Sequence, residues 1–518
     1  MLPLIAKLLG GVGATYFFLQ VLLHLTQDNK EPPTVATTVP FLSAYDDNLI
    51  RDKYAEPIFT LRLPFTRLYI VTSTALIPAV QSQFRVLSFN PIQIKAVANF
   101  GSPSKEAMDL FEKDIDNDKG FVPGFLKAVY PTLTGRMLDS LNKNAVDVML
   151  AEFDKIAAKG PRTPVQMYEW VDEQITYATT DAIYGPHNPL RDPKNLVAWR
   201  VYEAKTMTLV MGILPELLAA DAIKARAFLC KKFEQYFAKS WHQQGSDYIQ
   251  RRYAYMLERG LSAEDIAKIE LTGVFPLISN TFPTAFWLVY HIFSSRTVLE
   301  ECRREFYGAV SEKDGMYTVD ASFIKDSCPI LMSTYQEVFR VHGMATSVRV
   351  ALEDHMLDGK YLIKKGGMIM VSSRVQHSSP SVWGNDVDEF RHTRFVRNLG
   401  DKRHNPVAFR GFGGGTTLCP GRHFATMEIL LFTTLLMLRF DVRPSNGLAQ
   451  WPMPPTDKSS QAAAMDQPGH DIAIELLPRP QQNWQVVFSN KSDNKTQIVA
   501  EDLKAASLDD PHRSIAIP

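Results

Sequence analysis

Phe409-Arg410-Gly411-Phe412-Gly413-Gly414-Gly415-Thr416-Thr417-Leu418-Cys419-Pro420-Gly421-Arg422-His423 is the stretch from which the rest of the chain can be read. Gly411, Gly413, Gly414 and Gly415 permit tight turns and a close approach of backbone to a ligand. From Phe424 to Arg439 an apolar run with helical spacing follows. Cys419 therefore stands on a glycine-rich loop just before a helix. The first turn of a helix has N–H groups without intrahelical partners and a positive potential. Both favour the thiolate, the form of cysteine that binds metals, over a thiol whose free pKa is about 8.5. A buried structural cysteine beside a turn is the plainer alternative. Phosphate cradling is excluded, because no Gly-Lys-Ser/Thr follows the glycines.

Outward from this loop, the chain reads as mainly helical with small sheets. Apolar residues recur at helical spacing near residues 105–115, 138–158, 165–184, 196–213, 221–255 and 263–294. Phe59 to Leu63 and Leu68 to Thr72 read as a hairpin. Strand texture returns at Ser347–Ala351, Met368–Ser372, Ile472–Leu476 and Gln485–Phe488. No internal repeat is present. Leu271–Phe293 is apolar enough to span a membrane, but Pro276, Ser279, Asn280, Thr281, Pro283 and Thr284 would be expensive in lipid. A helix buried through the centre of a domain is apolar on all sides as well, and that is the expected reading.

The N-terminus differs from the rest. Leu2 to Leu25 is almost wholly apolar, about the ~20 residues a helix needs to cross a bilayer. The run is long for a signal peptide and no small-residue cleavage site follows it. The expected organisation is a membrane anchor over 1–26, a proline-containing linker over 27–45, a catalytic domain over 46–490 and a polar tail over 491–518. The 56 basic and 56 acidic residues cancel, which argues against nucleic acid as a partner. The four cysteines, Cys230, Cys302, Cys328 and Cys419, are too few and too scattered for a disulfide framework or a zinc knuckle. A reducing compartment follows for the folded part.

The spacing Phe412-x-x-Gly415-x-x-x-Cys419-x-Gly421 resembles the haem-binding signature of the cytochrome P450 superfamily, and the likeness runs over nearly the whole chain. Glu337 and Arg340 match that family's Glu-x-x-Arg pair, one helical step apart on a shared face. Phe390-x-x-x-Arg394-Phe395 matches the segment that brings a second arginine to the same carboxylate. The resemblance gives Glu337, Arg340 and Arg394 a structural role, holding the meander beneath the cysteine loop. It makes Cys419 the axial ligand of haem b (iron protoporphyrin IX), with Phe412, Gly415 and Gly421 around the cofactor and Arg349 on a propionate. Within the superfamily, Ser347 to Gly366 and Asn280 to Trp287 look like the sterol 7-alpha- and 12-alpha-hydroxylase and prostacyclin synthase group. The cysteine loop is similar to fungal secondary-metabolism members. Three departures stand out. Thr417 occupies the place of a usual arginine or histidine, His392 that of a usual proline, and no Trp-x-x-x-Arg is found.

The resemblance also carries a mechanism. Typical members place an acid and a threonine side by side in the central helix to deliver protons, but here those positions are Phe282 and Pro283. Asn280 and Thr281 are the catalytic candidates in their stead, Asn280 through its amide. Pro283 has no N–H for the Ser279 carbonyl, so a kink is expected there. The implied function is NADPH- and O2-dependent monooxygenation of a bulky lipophilic substrate, terpenoid, sterol-like or polyketide, in secondary metabolite biosynthesis. Phe275, Ile278, Phe282, Met344 and Val348 are the expected apolar lining. Rearrangement of a hydroperoxide without a reductase is the alternative, and a non-catalytic haem or lipid binder is a third class. The implied partner is NADPH–cytochrome reductase, with Lys402, Arg403, Arg410, Arg422 and His423 as a basic docking patch. The implied location is the endoplasmic reticulum membrane, single-pass, with the catalytic domain on the cytosolic side.

Overall fold

In the computed structural model the described residues are 17–23, 25–35, 56–63, 66–114, 120–396, 405–445, 451–457, 459–460, 462–480 and 483–489. Residues 17–23 and 25–26 are helical. The remainder of the expected anchor, the second half of the linker and the whole expected tail lie outside the described residues. Among the described residues no helix is long and apolar enough to cross a membrane, so they lend the anchor no support. The architecture is mainly helical with small sheets, and it divides into two packed units.

One unit comprises Met1–Gln93, Met344–Asp388 and Lys402–Leu418. Its core is a five-stranded sheet. Ile58–Leu63 pairs antiparallel with Thr66–Val71, which runs parallel to Met368–Ser372. That strand pairs with Thr346–Ala351, and Leu87–Ser88 closes the edge. Side chains alternate across a strand with a period of two. Ile58, Tyr69, Val71, Ile369 and Val371 accordingly pack on one face with Ile77, Leu357 and Ile363. Phe59, Leu61, Leu68 and Ile70 pack on the other with Val35 and Val375. Both faces are covered, and the strands are correspondingly rich in apolar residues. Residues 27–35 lie along this sheet. Glu31, 6% exposed, accepts from Arg67 Nε at 3.0 Å and from the Tyr69 hydroxyl at 2.7 Å.

The second unit comprises Ile94–Gly343, Glu389–Asp401 and Cys419–Pro518, and it is largely helical. At its centre are Ala263–Ile278 and Thr281–Phe293. Ser262 caps the first, its hydroxyl accepting from the Asp265 N–H at 3.1 Å. Every residue from Thr281 to Phe293 is buried, as expected for a helix enclosed on all sides. Met167–Tyr184, Arg296–Phe306, Pro329–His342 and Arg422–Arg439 pack around it. Two small sheets complete the unit. Ala473–Pro478 lies between Phe440–Pro444 and Thr163–Gln166, and Met316–Asp320 lies between Val310–Lys313 and Asn483–Val487.

Three of the apolar runs are not single helices. The run 196–213 divides into Pro193–Glu203 and Thr206–Met211. The run 221–255 is not one helix: Ala220–Ala238 ends before a tight 3-10 turn at Trp241–Gln244, and Asp247–Glu258 begins anew. Ser240, at φ 55°, takes the left-handed turn there. The run 263–294 is also broken, at Ser279 and Asn280, where the missing N–H of Pro283 leads one to expect a kink. The break after Ala238 has no sequence signal as strong as the apolar periodicity that runs through it.

Candidate active site

Cys419 is held at the start of the Arg422–Arg439 helix, in the place its sequence context implies. The backbone N–H groups of Gly421 and Arg422 and the charge of Arg422 favour the thiolate, while burial pushes the thiol the other way, upward, and is the largest influence. The Arg422 side chain reinforces the turn by donating from Nη1 to the Cys419 carbonyl at 2.9 Å. None of the other cysteines has backbone N–H donors at its sulfur, although the charges of Arg226 and Lys268 favour the Cys230 thiolate and the Thr334 hydroxyl that of Cys302. Burial pushes Cys230 up to about 11 and Cys328 to about 12, and Cys302 higher still. Of the four, Cys419 alone has N–H donors directed at its sulfur, which singles it out as the metal-binding thiolate.

Gly421 has an ordinary backbone, φ −85°, and a Cβ built on it would meet no protein atom within 4 Å. Packing within the chain therefore does not demand glycine there, which leaves room for a bound group. Upstream in the loop the demand is internal. Gly413 has φ +82°, and a Cβ on Gly414 would come within 2.6 Å of Gln81 Nε2 and 3.2 Å of Arg410 Nη1. Gly415, at φ +60°, sits against the same Gln81 side chain, 3.1 Å from its nearest atom.

The sheet unit supplies two buried guanidiniums. Arg349 is 2% exposed; its Nη1 donates to the Leu87 carbonyl at 3.2 Å, and its Nη2 has no partner. Arg410 is also 2% exposed, and its Nε has no partner. Burial pulls both down to about 10, and for Arg410 the like charge of Arg349 adds to the pull. Two buried like charges with orphaned donors are costly unless an anion satisfies them. A dianionic group with two carboxylates, as in haem b, fits this donor set. Sequence reasoning placed Arg410 and Arg422 in a basic docking patch. The structure corrects this: Arg410 and Arg422, 2% and 8% exposed, are too buried to greet a partner. Lys402 and Arg403 lie outside the described residues.

Glu337, Arg340 and Arg394 are brought together. The Glu337 carboxylate, fully buried, accepts from Arg340 Nε and Nη2, both at 2.8 Å, and from Arg394 Nε at 3.0 Å. It also accepts the Arg391 backbone N–H at 3.0 Å, and both arginines donate to the Glu389 carbonyl. One carboxylate thus ties the helix Pro329–His342 to residues 389–394. His392, where proline is usual, meets Glu301 at 2.7 Å.

In the central helix, Asn280 Oδ1 accepts from the Ala464 N–H at 2.8 Å. The hydroxyls of Thr281 and Thr284 donate back to the Leu277 and Asn280 carbonyls, at 3.0 and 2.7 Å. Asn280 therefore joins the helix break to the segment before Ala473, and both threonine protons are committed within the helix. Phe282 is stacked edge-on against Tyr168, and Phe275 against Phe100, so each has a packing role in this unit.

The cytochrome P450 family model matches residues 204–471, just over half of the chain. A cytochrome P450 monooxygenase of Hypoxylon pulicicidum, nodJ, is 28% identical over 474 residues, covering 87% of this chain and 90% of that protein. Cytochrome P450 7A1 of Rattus norvegicus is 27% identical over 226 residues, 40% of this chain and 44% of that one. Among solved structures, retinoic acid-bound cyanobacterial CYP120A1 superposes with a TM-score of 0.65 at 17% identity. It covers 87% of this chain and 99% of its own, a likeness of fold.

Proposed function

The chain belongs to the cytochrome P450 family, and from that premise we propose that it oxidises a bulky lipophilic skeleton in secondary metabolite biosynthesis. It is an oxidoreductase, a haem-dependent monooxygenase that receives NADPH electrons through a redox partner. The observation that carries the reading is the thiolate seat: Cys419 is buried at a helix start, and against the upward push of that burial the N–H groups of Gly421 and Arg422 are the donors set to hold an ionised sulfur.

When bound, haem supplies the activation of O2, assisted by electron donation from a thiolate ligand. This chain's residues hold and tune it. Cys419 would take the iron, and at Gly421 no side chain would stand in the way of the bound group. Within the sheet unit, Arg349 and Arg410 would take the carboxylates of the cofactor, Arg410 being a cation that Thr417 does not supply. Glu337, Arg340 and Arg394 fix residues 389–394 without taking part in chemistry. Asn280 orients the helix break through Ala464. The apolar character of Ile278 and Phe282 suits a terpenoid, sterol-like or polyketide substrate. The apolar stretch Leu2 to Leu25 fits a single-pass anchor in the endoplasmic reticulum membrane, with the catalytic domain on the cytosolic side beside NADPH–cytochrome reductase.

The decisive test is the spectrum of the reduced carbon monoxide complex of the purified holoprotein. The wild type shows the thiolate-type band, and Cys419→Ser keeps the fold but loses it. Imidazole or water coordination in the wild type would overturn the reading. Product formation that requires NADPH and reductase separates monooxygenation from rearrangement of a hydroperoxide. Alkaline extraction of membranes carrying the full chain, against a chain shortened to begin at Gln27, tests the anchor.

A further inference from the structure

The family's usual acid and alcohol are replaced by Phe282 and Pro283, neither of which carries a proton. A different acid and alcohol meet at the same helix. Glu203 ends the helix Pro193–Glu203, and Ser279 stands at the break between Ala263–Ile278 and Thr281–Phe293. Ser279 and Asn280 stay in the right-handed region, at φ −63°, ψ −17° and φ −108°, ψ −21°. Three and four residues before Phe282 and Pro283, Ser279 shares their face of the helix.

The Ser279 hydroxyl, 2% exposed as a residue, has no hydrogen-bond partner of good geometry, and neither has Glu203 Oε1. Trp199 Nε1, one turn before Glu203, and the Tyr168 hydroxyl are orphaned too. Unpaired polar atoms this deep are uncommon, and a group of them argues for a role. Ser279 and Trp199 lie close enough to the Glu203 carboxyl to favour its ionised form, as does the charge of Arg200. Burial, the largest influence, and the Asp172 charge oppose them and push the carboxyl up to about 7. Arg200 is itself shared, its Nε donating to Asp172 at 2.9 Å. Glu203 as a whole is only half-buried, while its Oε1 is sealed. The residue therefore has an outer side that can exchange protons with water and an inner oxygen turned to the helix break.

We propose that Glu203 and Ser279 form the proton-delivery pair of this enzyme, in place of the missing acid and alcohol. The inference rests on the monooxygenase reading above. In the step, the Glu203 carboxylic acid gives its proton to Ser279 Oγ as Ser279 passes its own hydroxyl proton to the dioxygen that is being reduced. Only O–H bonds form and break, and the carboxylate is reprotonated by water on its outer side. The electrons are those that NADPH already supplies. Trp199 and Tyr168 are available to steady a bridging water between acid and alcohol.

The test uses full-length holoprotein with reductase, NADPH and air, without organic substrate, in H2O and D2O across neutrality. Wild-type NADPH consumption falls as the pH rises through about 7 and shows a solvent isotope effect. Glu203→Gln and Ser279→Ala each slow consumption, by roughly tenfold or more, and the Glu203→Gln profile loses that inflection. Glu203→Asp restores part of the rate. Independently of turnover, the ferric protein shows an infrared carbonyl band of a protonated carboxyl that disappears through the same pH range and is missing in Glu203→Gln. A Glu203→Gln protein with wild-type rate and pH profile overturns the proposal, as does Ser279→Ala with wild-type rate and isotope effect. The reduced carbon monoxide spectrum separates the two levels. A wild type without the thiolate band sinks the monooxygenase reading, whereas variants that keep the band and the wild-type rate sink only the proton route.

Discussion

Replacing Glu337 by glutamine changes one atom's chemistry and tests what holds the segment 389–394 in place. The Glu337 side chain is fully buried, and Arg340 and Arg394 are each 3% exposed. Its two oxygens accept four hydrogen bonds, three of them from guanidiniums. Glutamine keeps the size but presents an NH2 where a charged acceptor stood, and it leaves two guanidiniums without this counter-ion. Breaking a buried ion pair from one side costs about 3–5 kcal/mol. Total stability is typically about 5–15 kcal/mol, so roughly a fifth or more of the margin is at stake. The internal control is the pair Arg296–Glu300, also on a helix, at 2.7 Å but 88% and 54% exposed. Solvent and salt screen such a pair, and Arg296→Ala is expected to cost under about 1 kcal/mol. Denaturant unfolding followed by circular dichroism measures both variants under the same conditions. A Glu337→Gln protein that loses no more stability than Arg296→Ala would show that the carboxylate is not the tie argued here.

Three other expectations follow from particular contacts. Arg410→Leu removes one of two mutually repelling buried guanidiniums, and with it a charge-assisted bond of about 1.5–3 kcal/mol to the cofactor. Haem transfer to an excess of acceptor apoprotein should therefore speed up about tenfold or more, and an unchanged transfer rate would exclude Arg410 as a propionate partner. Asn280→Ala orphans the Ala464 N–H, a cost of about 1–3 kcal/mol. Amide exchange at residues 462–466 should quicken, and wild-type protection there would refute the tie. Glu203 binds its proton more tightly in the folded chain, at about 7 against an ordinary 4.5. Its contribution to stability is therefore full below about 4.5 and is lost as the pH rises through about 7. The melting temperature of the wild type should fall relative to Glu203→Gln across that window, and parallel curves would show that the carboxyl is not shifted.

Much of the fold was legible because its signals are local. The apolar stretches of Met167–Tyr184 and Arg422–Arg439 mark helices that are buried on nearly all sides. The alternation in Ile58–Leu63 is the pleat itself. Cys419 could be found by reading because its surroundings are its own neighbours in the chain: glycines before it, and the first N–H groups of a helix after it. Glu337 and Arg340 were legible for the same reason, being one helical step apart.

What reading could not supply depends on residues far apart in sequence. A Ser279–Asn280 interruption follows from Pro283 only in part, since Asn280 is also drawn to Ala464, 184 residues away. Arg410 resembles any solvated loop arginine until its burial beside Arg349 is known, and the same holds for Arg422. Glu203 looks like one more charge on an amphipathic helix. Sequence alone marks most of the helical and extended stretches and where a thiolate can be seated, because those are decided by neighbours within a few residues. Which charges are stripped of water, and which polar atoms face each other, is decided only when distant segments pack, because desolvation and pairing energies belong to the surroundings and not to the residue.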